Sequence, residues 1–168
     1  MDTSPGRENI YLSGAKRIPL TKGQFAIVDA ADFGRVNQYK WHYNSHGYAY
    51  RYAGGGRKNT KRQSMHEFIY GKPECLIDHR DGNGLNNRRD NLRAADKSLN
   101  AANSKTRSDN TSGYRCVYES KEGNFYSQIT VRGKTFNLGT FVNKKLAALA
   151  YNEAAKENFG EFARLNDV

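Results

Sequence analysis

The sequence predicts an α+β fold assembled from small modules in tandem, and three observations carry that expectation. First, 168 residues with 37% hydrophobic content and a mean hydropathy of −0.89 cannot fill one large core, but suit several small sheet-plus-helix cores. Second, aromatic and β-branched residues alternate in short runs separated by glycine turns, the pattern of antiparallel strands. Third, helical spacing occurs in short stretches between those runs and in one longer stretch near the C-terminus.

The segment RIPLTKGQFAIVD, from Arg17, predicts two short strands around a Lys22-Gly23 turn. In AADFGRVNQY the three-residue spacing of Phe33, Val36 and Tyr39 predicts a short helix capped by Asp29. Trp41, Tyr43, Tyr48, Tyr50 and Tyr52 alternate around a His46-Gly47 turn, as in a hairpin. That aromatic ladder either packs a half-buried sheet, the commoner use, or stacks on bases. Residues 53–64, AGGGRKNTKRQS, read as a flexible basic tip or linker. SMHEFIYG predicts one or two helical turns stopped by Gly71 and Pro73.

From Cys75, CLIDH predicts a strand, RDGNG a turn, LNNRRD a loop with a weak second strand, and NLRAADKSLNAANSK an entry into a helix. Polar NSKTRSDNTSG follows as a linker. From Tyr114 onward YRCVYES, NFYSQITVRG and KTFNLGTF predict three strands joined at Lys121-Glu122-Gly123 and Gly133-Lys134. NKKLAALAYNEAAKENFG predicts a helix capped by Asn143 and stopped at Gly160, with Ala147, Ala150, Tyr151 and Ala154 on the sheet-facing side. The expected segments are therefore 1–63, a basic β-rich region; 64–104, a catalytic core; 105–111, a linker; and 112–168, three strands plus a helix.

Charge points to a polyanion. Lys and Arg number 27 against 17 acids, a net charge of +10. From Phe33 to His66 there is no acid at all. Cations that neutralise phosphates release condensed counterions, so nucleic acid is the natural partner. No run approaches the ~18 apolar residues of a membrane span, and MDTSPGRENIYLSG lacks the apolar core of a secretion signal. Cys75 and Cys116 form no CxxC pair, so two buried, reduced thiols in a cytoplasm are expected rather than a zinc site.

The chemistry concentrates in LIDHRDGNGLNNRRDNLRAADKSLN, residues 76–100. Phosphodiester hydrolysis needs a deprotonated, aimed water and a balance for phosphoryl and leaving-oxygen charge, which a divalent cation supplies. Asp78 offers a carboxylate and Asn100 an amide oxygen, hard donors that suit Mg²⁺ or Mn²⁺. His79 is the general base available at neutral pH. Neighbours on a regular strand face opposite sides, so Asp78 and His79 share a site only at a distorted strand end. Asn100 and Asn103 fall on one helical face.

Asp78-His79, the DGNGLNNRRDNLR behind them and the nine-residue step from Asn91 to Asn100 resemble the HNH endonucleases with a ββα-metal site, of the phage and intron-encoded homing type. That resemblance implies His79 as general base, Asn91 as the asparagine that orients it, and Asp78 and Asn100 as ligands of a single divalent ion. Asn103, His66 and Asn87 are secondary candidates; Glu67 stands where the family often has an arginine after the position of His66. The C-terminal stretch, with LGTF, AALAYNEAA and ARLN, resembles the plant apetala/ethylene-response DNA-binding domain, which implies a three-stranded sheet laid in the major groove. The expected contacts to double-stranded DNA are Arg51, Arg57, Lys58, Lys61, Arg62, Arg88, Arg89, Arg107, Arg115, Tyr118, Lys121, Arg132, Lys134, Lys144 and Lys145.

Together these features predict a site-preferring, metal-dependent DNA endonuclease that nicks one strand as a monomer. A phage or mobile element would encode it and a bacterial cytoplasm would be its setting. The alternative is a non-catalytic DNA-binding regulator with a degenerate nuclease core. An RNA-directed nuclease would call for an RNA-binding module, and none is recognisable.

Overall fold

The computed structural model describes residues 14–54, 61–106 and 109–168. Arg57, Lys58 and Arg107, with part of the glycine-rich stretch, lie outside the described residues. The protein is a mixed α/β chain of several small sheets and four helices among those residues. Packing divides it into two compact units. The first is drawn from the chain up to Lys72 together with Asn83–Leu92, the second from Pro73–Gly82 together with Arg93–Val168.

In the first unit β1 (Ala15–Pro19) pairs antiparallel with β2 (Phe25–Asp29), Ile18 opposite Ala26. The connection turns at Lys22 and Gly23, both with positive φ. Helix α1 (Ala30–Val36) follows. Asp29 precedes it but does not cap it with its side chain. Its carboxylate accepts instead from Arg88 Nε at 3.1 Å and from the Arg89 backbone N–H at 2.8 Å. A three-stranded antiparallel sheet is built from β3 (His42–Tyr43), β4 (Ala49–Ala53) and β5 (Lys61–Ser64). The last of these corrects the linker expected over 53–64. Lys61–Ser64 pairs with Tyr50–Ala53, and ladder hydrogen bonds overrule a composition that reads as loop. Helix α2 (Met65–Tyr70) starts with Glu67 Oε2 accepting from the Ser64 N–H at 3.2 Å and stops at Gly71, φ 97°.

The buried side chains of this unit include Ile18, Leu20, Ala26, Val28, Val36, Trp41, Ala49, Met65 and Ile69. On β4 the interior side is the one carrying Ala49 and Arg51. The Arg51 guanidinium lies 3.8 Å from the Tyr39 ring centroid and 4.8 Å from that of Phe68, and Nε donates to Gln63. Tyr50 and Tyr52 therefore point the other way; of the aromatic ladder, Trp41 packs the interior and these two do not.

The asparagine-rich segment 83–92 docks on the edge of β2. The Ile27 N–H donates to the Leu85 carbonyl at 2.8 Å, and the Asn87 N–H donates to the Ile27 carbonyl at 2.7 Å. Two arginines clamp it. Arg88 holds Asp29, and Arg89 grips Asp32 through Nε at 2.7 Å and Nη2 at 2.9 Å. Asp32 is 3% exposed. Burial by itself would raise its pKa, but hydrogen bonds and charge from Arg89 and Arg35 outweigh that and hold it below the usual carboxylate range. The clamp thus contributes stability above the unfolded aspartate value of about 4, which is lost as pH falls through the lowered one.

Gly84 closes the segment against the hairpin. A Cβ there would meet the Gly47 carbonyl oxygen at 2.6 Å and the Tyr48 ring at 2.6 Å. Gly84→Ala should destabilise the protein by about 1–3 kcal/mol, the usual cost of overpacking, read as a lower urea midpoint. An unchanged midpoint would mean that the segment is not held there.

The second unit holds β6 (Leu76–His79), paired with β7 (Leu92–Ala95, whose last three residues belong here), and α3 (Lys97–Ala102). The second strand thus lies at Leu92–Ala95 rather than within LNNRRD, because residues 85–90 pair elsewhere. Asp96 caps α3, accepting from the Leu99 N–H at 2.8 Å. Strands β8 (Val117–Glu119), β9 (Phe125–Val131) and β10 (Lys134–Phe141) form an antiparallel sheet in the order β10-β9-β8. Helix α4 (Lys144–Phe159) covers one face, capped by Asn143, which accepts from the Lys145 N–H at 2.7 Å.

The covered face of α4 is Ala147, Ala148, Tyr151, Asn152, Ala155 and Phe159. Compared with the expected stripe, Ala150 and Ala154 move to its margin. Leu99 and Ala102 of α3 pack into this same core with Ile129, Tyr151 and Phe159. Cys116 is half-buried, and burial pushes its thiol pKa up; Cys75 is exposed, contrary to expectation. No described helix is long and apolar enough to cross a membrane.

Candidate functional site

Strand β6 ends at Asp78-His79, and the chain turns at once. The Gly82 N–H donates to the His79 carbonyl at 2.8 Å, a turn that puts Gly82 at φ 67°. Asn103, at the C-terminal end of α3, reaches the same carbonyl with Nδ2 at 2.8 Å. That amide also lies 3.0 Å from each Asp78 carboxylate oxygen. An –NH₂ crowded by carbonyl and carboxylate oxygens can only be a donor, which fixes the orientation of Asn103. Asp78 and His79 are both buried, at 6% and 5% exposure. The strand thus ends at His79, and Asn103 ties the Asp78 carboxylate to the His79 backbone carbonyl.

Asp78 has a second partner that the spacing gave no hint of. Arg93, on β7, donates to Oδ2 through Nε at 2.8 Å, and its Nη2 lies 2.8 Å from the same oxygen. Both side chains are 7% exposed. Nη1 donates to the Glu161 carbonyl at 2.9 Å, and the guanidinium plane sits 3.6 Å from the Phe162 ring centroid. The one visible signal was an arginine between Leu92 and Ala95 in a strand whose neighbours are apolar.

This donor set fits a hard divalent cation. Oδ2 of Asp78 is saturated by Arg93 and Asn103, but Oδ1 meets a single donor and keeps a lone pair. Asn100 lies one turn before Asn103 on α3, on the same face, and nothing among the described residues hydrogen bonds its side chain. No group of three or more His, Cys, Asp or Glu side chains converges among the described residues. Two protein oxygens leave coordination positions for water and a phosphate, which a cation of the Mg²⁺ type prefers to a full protein cage.

The remaining asparagines shape the loop. Asn83 Oδ1 accepts from the Leu85 N–H at 3.1 Å, and Asn91 Nδ2 donates to the Asn86 carbonyl at 2.8 Å. Asn87, a secondary candidate, is fully buried in the first unit, its Nδ2 3.5 Å from the Gly84 carbonyl oxygen. His66 packs edge-on to Tyr48, ring centroids 5.7 Å apart.

The basic residues divide into two groups. Arg51, Arg88 and Arg89 are engaged inside the first unit, as described. Arg115 is engaged inside the second: Nε donates to the Tyr151 hydroxyl at 2.8 Å, Nη2 to the Ala101 carbonyl at 2.7 Å, and Nη1 to the Ser104 carbonyl. These four side chains thus have partners within the protein, although Arg89 stays 56% exposed. Lys61, Arg62, Lys121, Arg132, Lys134, Lys144 and Lys145 are exposed, as is Tyr118. Lys144 Nζ donates to the Ser112 carbonyl at 3.3 Å.

An uncharacterized HNH endonuclease of Acanthamoeba polyphaga mimivirus is 34% identical to this chain over 154 residues, covering 88% of this chain and 77% of that protein. Protein 3.8 of Escherichia phage T7 is 39% identical over 89 residues, covering 52% of this chain and 73% of that protein. No protein-family model matches the chain.

Proposed function

The chain belongs to the HNH endonuclease family, and from that premise we propose that it is a metal-dependent, site-preferring endonuclease of the homing type. It would nick one strand of double-stranded DNA as a monomer. The observation that carries the reading is the strand end where Asn103 bonds both the Asp78 carboxylate and the His79 carbonyl, and Arg93 holds Asp78.

In this reading His79 takes a proton from the attacking water. Asn91, which bonds the Asn86 carbonyl, braces the loop; orienting the imidazole is the role that the family resemblance implies for it. Asp78 Oδ1 and the Asn100 amide oxygen would hold one Mg²⁺ or Mn²⁺. Such an ion supplies charge neutralisation for the phosphoryl group and the departing 3′ oxygen. Arg93 and Asn103 would hold the Asp78 carboxylate in its orientation.

The outer face of the β8–β10 sheet would lie on the DNA, as the resemblance to the plant domain implies. It presents Tyr118 stacked on Tyr126, ring centroids 5.3 Å apart, with Gln128, Thr130 and Asn137 beside them. Lys121, Arg132, Lys134 and Lys145 would supply phosphate contacts around it. Phage or mobile-element origin and action in a bacterial cytoplasm complete the proposal, supported by relatives that are viral.

Incubation with supercoiled plasmid tests the reading. Open circles should accumulate with Mg²⁺ or Mn²⁺, and EDTA should stop them. A protein that shifts DNA in a gel yet never nicks it under any metal would be the regulator instead.

Asn100→Ala probes the ion without disturbing packing, because that amide has no described partner to lose. The metal concentration for half-maximal cleavage should rise by about 10–100-fold. An unchanged titration would remove Asn100 from the ligand set.

A further inference from the structure

The outward side of the β3–β4–β5 sheet carries, beside Arg62, a group of rings that the nuclease reading does not use. His42 pairs with Tyr50, and Tyr52 pairs with Arg62 across the other ladder, so these four side chains share one face. Their rings confirm it. His42, Tyr50 and Tyr52 lie with centroids 5.5–5.6 Å apart, and the Arg62 guanidinium stands 5.2 Å from Tyr50 and 6.0 Å from Tyr52.

Folding does not explain this cluster. The interior of the unit is filled from the opposite side of the same strand, by Ala49 and Arg51, while Tyr52 remains 48% exposed. An aromatic cluster left in water loses the burial that normally rewards such rings.

Charge and ring chemistry select one ligand. The chain from Phe33 to His66 contains no acid, so nothing in that stretch repels a phosphodiester backbone, and Arg62 offers it a cation. Aromatic faces stack on bases, but in a duplex each base face is covered by its neighbours. We infer that this face is a stacking platform for the unpaired bases of single-stranded DNA, with Tyr50 and Tyr52 as the base-stacking rings and Arg62 as the backbone contact. Such platforms tolerate any sequence, since every base has a π-face. The inference does not depend on cleavage, and the nuclease reading could fail without affecting it.

The test uses the full chain in EDTA and measures fluorescence anisotropy with three probes: labelled oligo(dT), an abasic oligomer of the same length, and a blunt duplex. Oligo(dT) should bind more tightly than the abasic strand. Tyr52→Ala should weaken oligo(dT) binding by at least about fivefold, with duplex affinity and thermal midpoint unchanged, and Tyr52→Phe should restore it. Arg62→Ala should reduce the salt dependence of oligo(dT) binding by about one counterion. Equal affinity for oligo(dT) and the abasic strand would overturn the inference. So would wild-type oligo(dT) binding by a double Tyr50→Leu, Tyr52→Ala variant, or a parallel loss on the duplex. Tighter binding of oligo(U) than of oligo(dT) would also overturn it, by assigning the face to RNA.

Discussion

Replacing His79 with alanine should lower plasmid nicking by about 10²–10⁴-fold, the contribution typical of a positioned general base, while duplex binding is retained. The local scaffold should survive the change. The contacts that hold the strand end run through the His79 carbonyl, to Gly82 and to Asn103, and these are backbone contacts that alanine keeps. A further measurement separates chemistry from packing, because the side chain is buried and its removal leaves a void. Imidazole added to the buffer should restore part of the lost rate if a proton acceptor is what is missing, and none of it if the defect is a collapsed turn. A variant that nicks at the parent rate would end the assignment of His79.

Much of the local structure was legible because its causes are local. The Lys22-Gly23 turn, the hairpin around Gly47, the Asn143 cap and the Gly160 stop each follow from φ or capping demands that a few adjacent residues satisfy. The strand end at Asp78-His79 was legible for a similar reason, since the turn residues after it advertise the break in the strand. What could not be read is what joins distant segments. Backbone bonds between Ile27 and the Leu85–Asn87 stretch, and the Arg88 and Arg89 clamps on Asp29 and Asp32, leave no periodic trace.

That omission altered the reading of charge. Arg51, Arg88, Arg89 and Arg115 read as free cations while their partners were unknown, whereas the structure ties each to partners within the protein. The β4 tyrosines of the aromatic ladder misled in the opposite direction, although Trp41 does pack the interior. Strict alternation identifies a two-faced strand but not which face is inside, and here the small and cationic residues, Ala49 and Arg51, took the interior.

Arg93 is the residue whose loss should affect stability most. Arg93→Leu leaves the Asp78 carboxylate buried without its guanidinium, and breaking a buried pair from one side costs about 3–5 kcal/mol. Leucine also abandons the Glu161 carbonyl, so the C-terminal short helix at Gly160–Phe162 loses its tie to the site. Urea denaturation should register the loss as a lower midpoint. Adding Asp78→Asn to the same chain removes the uncompensated charge and should recover part of that stability, since a neutral amide tolerates the site better than a lone carboxylate. Cleavage should not return with it, because the Asp78 oxygen then carries no charge with which to hold a cation. Stability and activity would thus separate in the double variant. If Arg93→Leu unfolds at the parent midpoint, Asp78 does not depend on the guanidinium, and the ion pair is not what shapes the strand end.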